Sequence, residues 1–470
     1  MCRLFSHSPL PLLLLLFSFS FPSPCVSTNE HYVREQLQKQ NLPPPKSNMD
    51  PQELQLLFKI MDNMSSDYNW RVSHPNPCSS SSWVGIECRT FGPDNRPRVT
   101  RLDFGTFPNP TCKPTATFPS DIFHLPHLES VFFIHCFTHT RTRIILSDPN
   151  PNNFSSPLLQ VSLRSNPALI GSIPPHLSSL KSLQILTLSQ NSLNGPIPPE
   201  IFTLTSLLHL DLSYNMLSAP VPSQLGNLKN LVGLDLSYNR LWGSIPETIG
   251  QLGMLQKLDL SSNALTGNIP DSIEKLHSLV FLALSNNRLT GKFPKGLSQL
   301  QSLQYFIMDD NPMFTSLPVE FGQLQKLQEL RLANSGYSGT IPSSYSLLNN
   351  LSTLSLQNNK LTGQIPVELA NLSHIYHLNL SRNLLGGVVP FNSSFLRRLG
   401  KNLDLSENPG LCLSPSEANG VYFSKVDICG RNKTDYTLNK SQASSHQLSI
   451  SFSSIAAFCI VGMLHYFFSV

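Results

Sequence analysis

The chain has 470 residues, of which 40% are apolar and 13% charged, and its formal net charge is +4. So small an excess of cations, with no basic run interleaved with aromatics, excludes nucleic acid as the expected partner. The 14 histidines are scattered. No His-Glu-x-x-His, Gly-x-Ser-x-Gly, glycine-rich phosphate loop, His-Arg-Asp or Asp-Phe-Gly occurs, so no catalytic residue, metal site or cofactor is assigned and no enzyme is expected.

The N-terminus carries one early cation, Arg3, then a nearly unbroken apolar run over residues 10–21, then Ser23, Ser27 and Thr28. That is the layout of a secretory signal peptide, assigned to residues 1–27; the run is too short to span a membrane comfortably. Secretion places the remaining cysteines in an oxidising compartment. Of the nine, Cys2 and Cys25 leave with the signal and Cys459 lies in an apolar tail. Six cysteines admit many pairings. Chain proximity, and position at the two ends of the repeats described below, select Cys78–Cys88, Cys112–Cys136 and Cys412–Cys429.

Residues 28–97 read as a linker and a cysteine-bearing cap. Asp50-Pro51-Gln52-Glu53 combines an N-cap, a proline at the first helical position and a capping-box glutamate. Leu54, Leu57, Phe58 and Met61 follow at helical spacing and predict an amphipathic helix covering the first turn of what comes next. Trp70, Cys78, Trp83 and Cys88 complete the lid.

Residues 98–408 are periodic. Asparagines closing an L-x-x-L-x-L-x-x-N unit stand at Asn166, Asn191, Asn215, Asn239, Asn263, Asn287, Asn311, Asn359, Asn383 and Asn408. The single long gap holds Leu327–Leu330–Leu332, closed by Ser335. Two degenerate units precede the series, Val99–Leu102–Phe104 and Leu128–Val131–Phe133, for about thirteen turns. In Leu210-Asp211-Leu212-Ser213 the leucines alternate with polar residues, the pattern of a strand with one buried face. Half a turn later comes Gly-x-Ile-Pro, as at Gly243–Pro246, which disfavours a long helix and predicts extended or short 3₁₀ structure. No turn can bury its apolar face alone, so neighbours stack. The expected fold class is an α/β solenoid, a right-handed superhelix with a parallel concave β-sheet, a 3₁₀ or extended convex side, and disulfide-bonded caps.

With its L-x-G-x-I-P insertion and its Trp70…Cys78…Trp83-x-Gly85-x-x-Cys88 cap, the chain resembles the plant leucine-rich-repeat receptor family. The stretch from Thr111-Cys112 through Ile122-Phe123-His124-Leu125-Pro126 to Phe132-Phe133 and Cys136-Phe137 is most similar to the small kinase-less receptor-like proteins related to Too Many Mouths and the Piriformospora-indica-insensitive proteins. The resemblance implies a solenoid that binds an extracellular peptide or protein ligand, with a membrane receptor kinase as signalling partner, in plant defence, symbiosis or developmental signalling. An alternative is an inhibitor of secreted cell-wall-degrading enzymes, of the polygalacturonase-inhibiting type. Those proteins lack an apolar tail.

Residues 409–440 read as a C-terminal cap and stalk and 441–470 as an anchoring tail. From Leu448 onward no residue is charged. Small residues upstream, among them Ser441 and Ser444, fit the attachment site of a glycosylphosphatidylinositol (GPI) anchor; a single transmembrane span is the alternative. Either puts the chain on the extracellular face of the plasma membrane. Asn63, Asn153, Asn350, Asn371, Asn379, Asn392, Asn432 and Asn439 are glycosylation sequons. Most outward strand positions (Asp211, Asp235, Asp259, Ser261) look like a solvated filler face. The run from Val280 to Asn334 departs from filler, and Phe281, Tyr305, Ile307, Asp309, Asp310, Glu329 and Arg331 are its candidate partner-binding residues, as exposed aromatics beside charges.

Overall fold

A computed structural model describes residues 49–79, 83–91, 93–146, 156–417 and 426–430. The signal peptide, the anchoring tail with Ser441 and Ser444, and the sequons Asn153, Asn432 and Asn439 lie outside these residues.

The N-terminal helix Pro51–Met64 forms where capping chemistry places it. Asp50 Oδ1 accepts from the backbone N–H groups of Gln52 and Glu53 at 2.9 and 3.2 Å, and Pro51 sits in the first turn, where its missing N–H costs nothing. Its buried face (Leu57, Phe58, Ile60, Met61, Met64) covers the end of the core. Glu53 does not close a capping box. It turns inward, where Oε1 accepts from Val99 N–H at 2.8 Å and Oε2 lies 3.2 Å from Arg98 Nη1. Val99 pairs with Cys88 at a register shift in the first hairpin, and the glutamate satisfies the buried donor there. Trp70 and Trp83 meet edge to face at 5.2 Å beside the Cys78–Cys88 bridge.

A 14-stranded sheet runs through the described residues from Ile86 to Asp404. Its first strand, Ile86–Phe91, is antiparallel to Arg96–Phe104; the thirteen strands from Arg96–Phe104 to Leu403–Asp404 are parallel, one per turn. Register is kept without slippage through the centre: Leu234, Leu258, Leu282, Phe306, Leu330, Leu354 and Leu378 align turn on turn and are buried. A continuous aliphatic column results, which is how one turn covers the next.

The asparagines stitch the turns. Asn287 Nδ2 donates to the carbonyls of Leu260, Leu284 and Ser285, and its Oδ1 accepts from Leu265 N–H. The residue before each closing position takes a left-handed conformation, as at Tyr214 (φ 52°), Tyr238 (φ 51°) and Ser262 (φ 55°). The asparagine bonds hold this otherwise costly turn. Ser335 does the same work in the irregular unit: its hydroxyl accepts from Asn311 N–H and donates to Ala333 carbonyl.

On the convex side ten of the described turns make a five-residue 3₁₀ helix entered from a proline, such as Glu247–Gln251 after Pro246 and Asp271–Lys275 after Pro270. Short lateral strands follow the asparagines and form three further sheets, not anticipated from the sequence. These sheets break twice, leaving only single bridges at Pro220–Trp242 and Ser316–Ser338. Both breaks fall where the turn lacks the glycine of Gly-x-Ile-Pro, which elsewhere sits at positive φ (Gly243, 79°; Gly267, 77°).

Cys112–Cys136 and Cys412–Cys429 bridge Cα atoms 4.9 Å apart in both cases. The helix Ser393–Leu399, capped by Asn392, completes the far end, and Arg398 donates to the carbonyls of Leu372, Ser373 and Ile375. Among the described residues no helix is long and apolar enough to cross a membrane.

Candidate ligand-binding face

Strand pairing sets the outward side chains of the concave sheet in rows. One row reads His209, Gly233, Lys257, Phe281, Tyr305, Glu329, Thr353 and His377. The parallel row reads Asp211, Asp235, Asp259, Ala283, Ile307, Arg331, Ser355 and Asn379. The face is therefore zoned: carboxylates with one lysine, then an apolar step, then a second charged group.

All seven candidates fall within three consecutive strands and the turns that follow them, but they are not equally exposed. Tyr305, Ile307 and Arg331 are half-buried and Asp310 is exposed. Phe281, Asp309 and Glu329 are buried, at 5%, 5% and 8% exposure, which corrects their reading as exposed groups. The cause is spacing. Adjacent turns stand about 4.8 Å apart on the inner face, so long neighbours cover one another. Phe281 lies between Lys257 and Tyr305, whose ring centroid is 6.0 Å from its own.

The second charged group is a network. Arg331 Nε donates to Asp309 Oδ2 at 2.7 Å and Nη1 lies 3.8 Å from Glu329 Oε1, while Asp309 Oδ1 accepts from Ala333 N–H at 2.7 Å. Burial pushes the pKa values of Asp309 and Glu329 up, with Arg331 opposing in both. Tyr305 Oη donates to Gln328 Oε1 at 3.1 Å, and Gln328 Nε2 donates to Gln304 Oε1. His377 is held below the ordinary histidine range by burial and by Arg331.

The filler reading of the earlier turns also needs correction. Asp235 and Asp259 are buried, not solvated. The backbone N–H and hydroxyl of Ser237 donate to Asp235 Oδ1 at 3.1 and 2.7 Å, and Lys257 Nζ lies 2.9 Å from Asp235 Oδ2. Lys257 is the residue sequence reasoning missed. Its signal was an amine in an outward row otherwise filled, in the adjacent turns, by His209, Gly233 and Phe281. The arrangement offers anchoring groups and an apolar step for a ligand laid across the strands, with no nucleophile–base pair. Among the described residues, no group of histidine, cysteine and carboxylate side chains could hold a metal ion.

Leucine-rich-repeat family models match residues 181–241, 229–289 and 254–313, and a second such model matches residues 350–372. The fold is a leucine-rich-repeat solenoid, and stretches of the chain are similar to plant receptor-like proteins. Receptor like protein 29 of Arabidopsis thaliana is 60% identical over 138 residues, 29% of each chain. Piriformospora indica-insensitive protein 2 of the same plant is 32% identical over 141 residues, 29% of this chain and 32% of its own. Each match thus spans under a third of the relative's length. Among solved structures, the Arabidopsis receptor kinase HAESA in complex with the peptide hormone IDA and the co-receptor SERK1 superposes with a TM-score of 0.59 at 27% identity, over 78% of this chain and 58% of that one.

The described sequons of this leucine-rich-repeat protein differ in setting. Asn350, Asn371 and Asn392 are exposed, and Asn63 is half-buried. Asn379 lies on the concave face, where its Oδ1 accepts from the backbone N–H and hydroxyl of Ser381.

Proposed function

We propose that this protein is a cell-surface receptor-like protein that captures an extracellular peptide or protein ligand on the concave strands from Lys257 to Arg331, without catalysis, and passes the signal through a membrane receptor kinase. The zoning of those strands carries the reading: an apolar step of Phe281, Ala283, Ile307 and Tyr305 lies between two charged groups, on an inner surface rigid enough to be preorganised. The solenoid resembles plant receptor ectodomains, among them HAESA, whose structure is a complex with a peptide hormone and a co-receptor. The signal peptide would route the chain into the secretory pathway, and a C-terminal GPI anchor or single span would hold it at the outer face of the plasma membrane. A glycan at Asn379 would close the later strands and direct the ligand to the earlier ones.

Affinity capture of the full chain from intact cell surfaces, with mass spectrometry of what co-purifies, tests this. Wild type is expected to retain a secreted peptide or a receptor kinase. Tyr305→Ala combined with Ile307→Asp should reach the surface in equal amount and lose at least 10-fold of that capture, about 1.4 kcal/mol or more. Equal capture by the variant, or capture of a pectin-degrading enzyme in place of a receptor, would overturn the proposal.

A further inference from the structure

Asp211, Asp235 and Asp259 occupy one register position on three successive strands. Successive positions are about 4.8 Å apart. Asp235 and Asp259 are 4% and 5% exposed. Lys257 reaches Asp235 at 2.9 Å, and Asp259 Oδ1 accepts from Ser261 N–H at 3.0 Å. The groups facing this cluster come from several turns. His209 stands one strand before Asp235, beside Lys257 and the backbone of Gly233, and burial lowers its pKa. Tyr214 and Tyr238 stack at 4.1 Å alongside, and burial keeps the Tyr214 phenol protonated far above neutrality. The next strand, Phe281–Ala283, adds no charge. Among the described residues, then, one ammonium and one imidazole face three carboxylates.

Two buried carboxylates one strand apart repel, and one of them holds a proton unless cations neutralise both. We propose that Asp235 and Asp259 share one proton at neutral pH and form, with Lys257, a proton-linked switch in the floor of the concave face. As pH rises, the proton leaves and one extra negative charge appears under the binding rows, beside the apolar step.

The electrostatics agree in direction. Burial, then the charge of Asp235, pushes Asp259 up to about 7 from an ordinary 3.8. Burial also works against the Lys257 ammonium, but Asp235 and Asp259 outweigh it and hold its pKa above the usual lysine value. Because the folded state grips this proton more tightly than the unfolded chain, it binds more protons throughout the window from 3.8 to about 7. Stability therefore falls as pH rises through that window and is flat with respect to this group above it.

Thermal unfolding of the full chain between about pH 4 and pH 8 reads the switch. Wild type should lose melting temperature as pH rises toward neutrality. Asp259→Asn should remove about one proton's worth of that slope, and Asp211→Asn, on the same row two strands from Asp259, should remove less. Lys257→Met should move the fall to higher pH. An unchanged slope in Asp259→Asn, or an equal loss in Asp211→Asn, overturns the proposal. If Asp259→Asn fails to fold, the infrared band of a protonated carboxyl in wild type decides. It should be present at about pH 6 and gone by about pH 8, and its absence at the lower pH contradicts a shared proton.

Discussion

Phe306→Ala should destabilise the central turns by about 3–5 kcal/mol. Phe306 is fully buried, and its ring lies 4.8 Å from Phe321 edge to face and 6.0 Å from Phe293. These aromatics fill the irregular turn, where Met313 and Leu317 stand in place of the usual Leu and Ile and the lateral sheet is interrupted. Truncation leaves a cavity that rigid neighbours cannot close. In a solenoid each turn touches only its neighbours, so the damage should be local. Hydrogen exchange should quicken between residues 281 and 345 and change little near residue 187. A uniform loss of protection along the whole array would contradict this.

The second large effect concerns the charged network. Arg331→Leu should cost about 3–5 kcal/mol by leaving Asp309 buried without its partner. Asp309 would keep the Ala333 N–H at that carboxyl. Its pKa is already raised by burial, and losing the Arg331 cation raises it further. Lowering the pH should therefore rescue Arg331→Leu, since a protonated Asp309 no longer needs the cation. Pairing the change with Asp309→Leu should recover most of the loss, because an apolar pair can replace a buried ion pair at little cost. Urea unfolding of the two single variants and the double variant measures the coupling. Simple additivity would show that Arg331 and Asp309 do not act together.

These two residues also show how far the sequence could be read. The turns, their number, the caps and the parallel sheet were all legible, because leucine and asparagine spacing reports a repeat that only stacking can satisfy. Exposure on the inner face was not legible. Arg331 Nη1 lies 3.8 Å from Glu329 of its own strand, but its short contact, 2.7 Å, is to Asp309 of the previous turn. Residues two apart on a strand are about 6.6 Å apart, farther than the next turn at about 4.8 Å. The same crowding buries Phe281 and turns Asp235 and Asp259 from filler into a charged cluster. The breaks in the lateral sheets were written in the chain as missing glycines at Ala219 and Thr315, a signal visible only once positive φ is known to be required there.

The central claim is that ligand contact lies on the inner strands. A photo-crosslinking residue at Ile307, on the concave sheet, compared with one at Val319, exposed on the convex 3₁₀ side, tests it most directly on living cell surfaces. Adducts with a secreted peptide or a receptor ectodomain should form from position 307 and not from position 319. Adducts from 319 alone, or equal yields from both, would contradict the account.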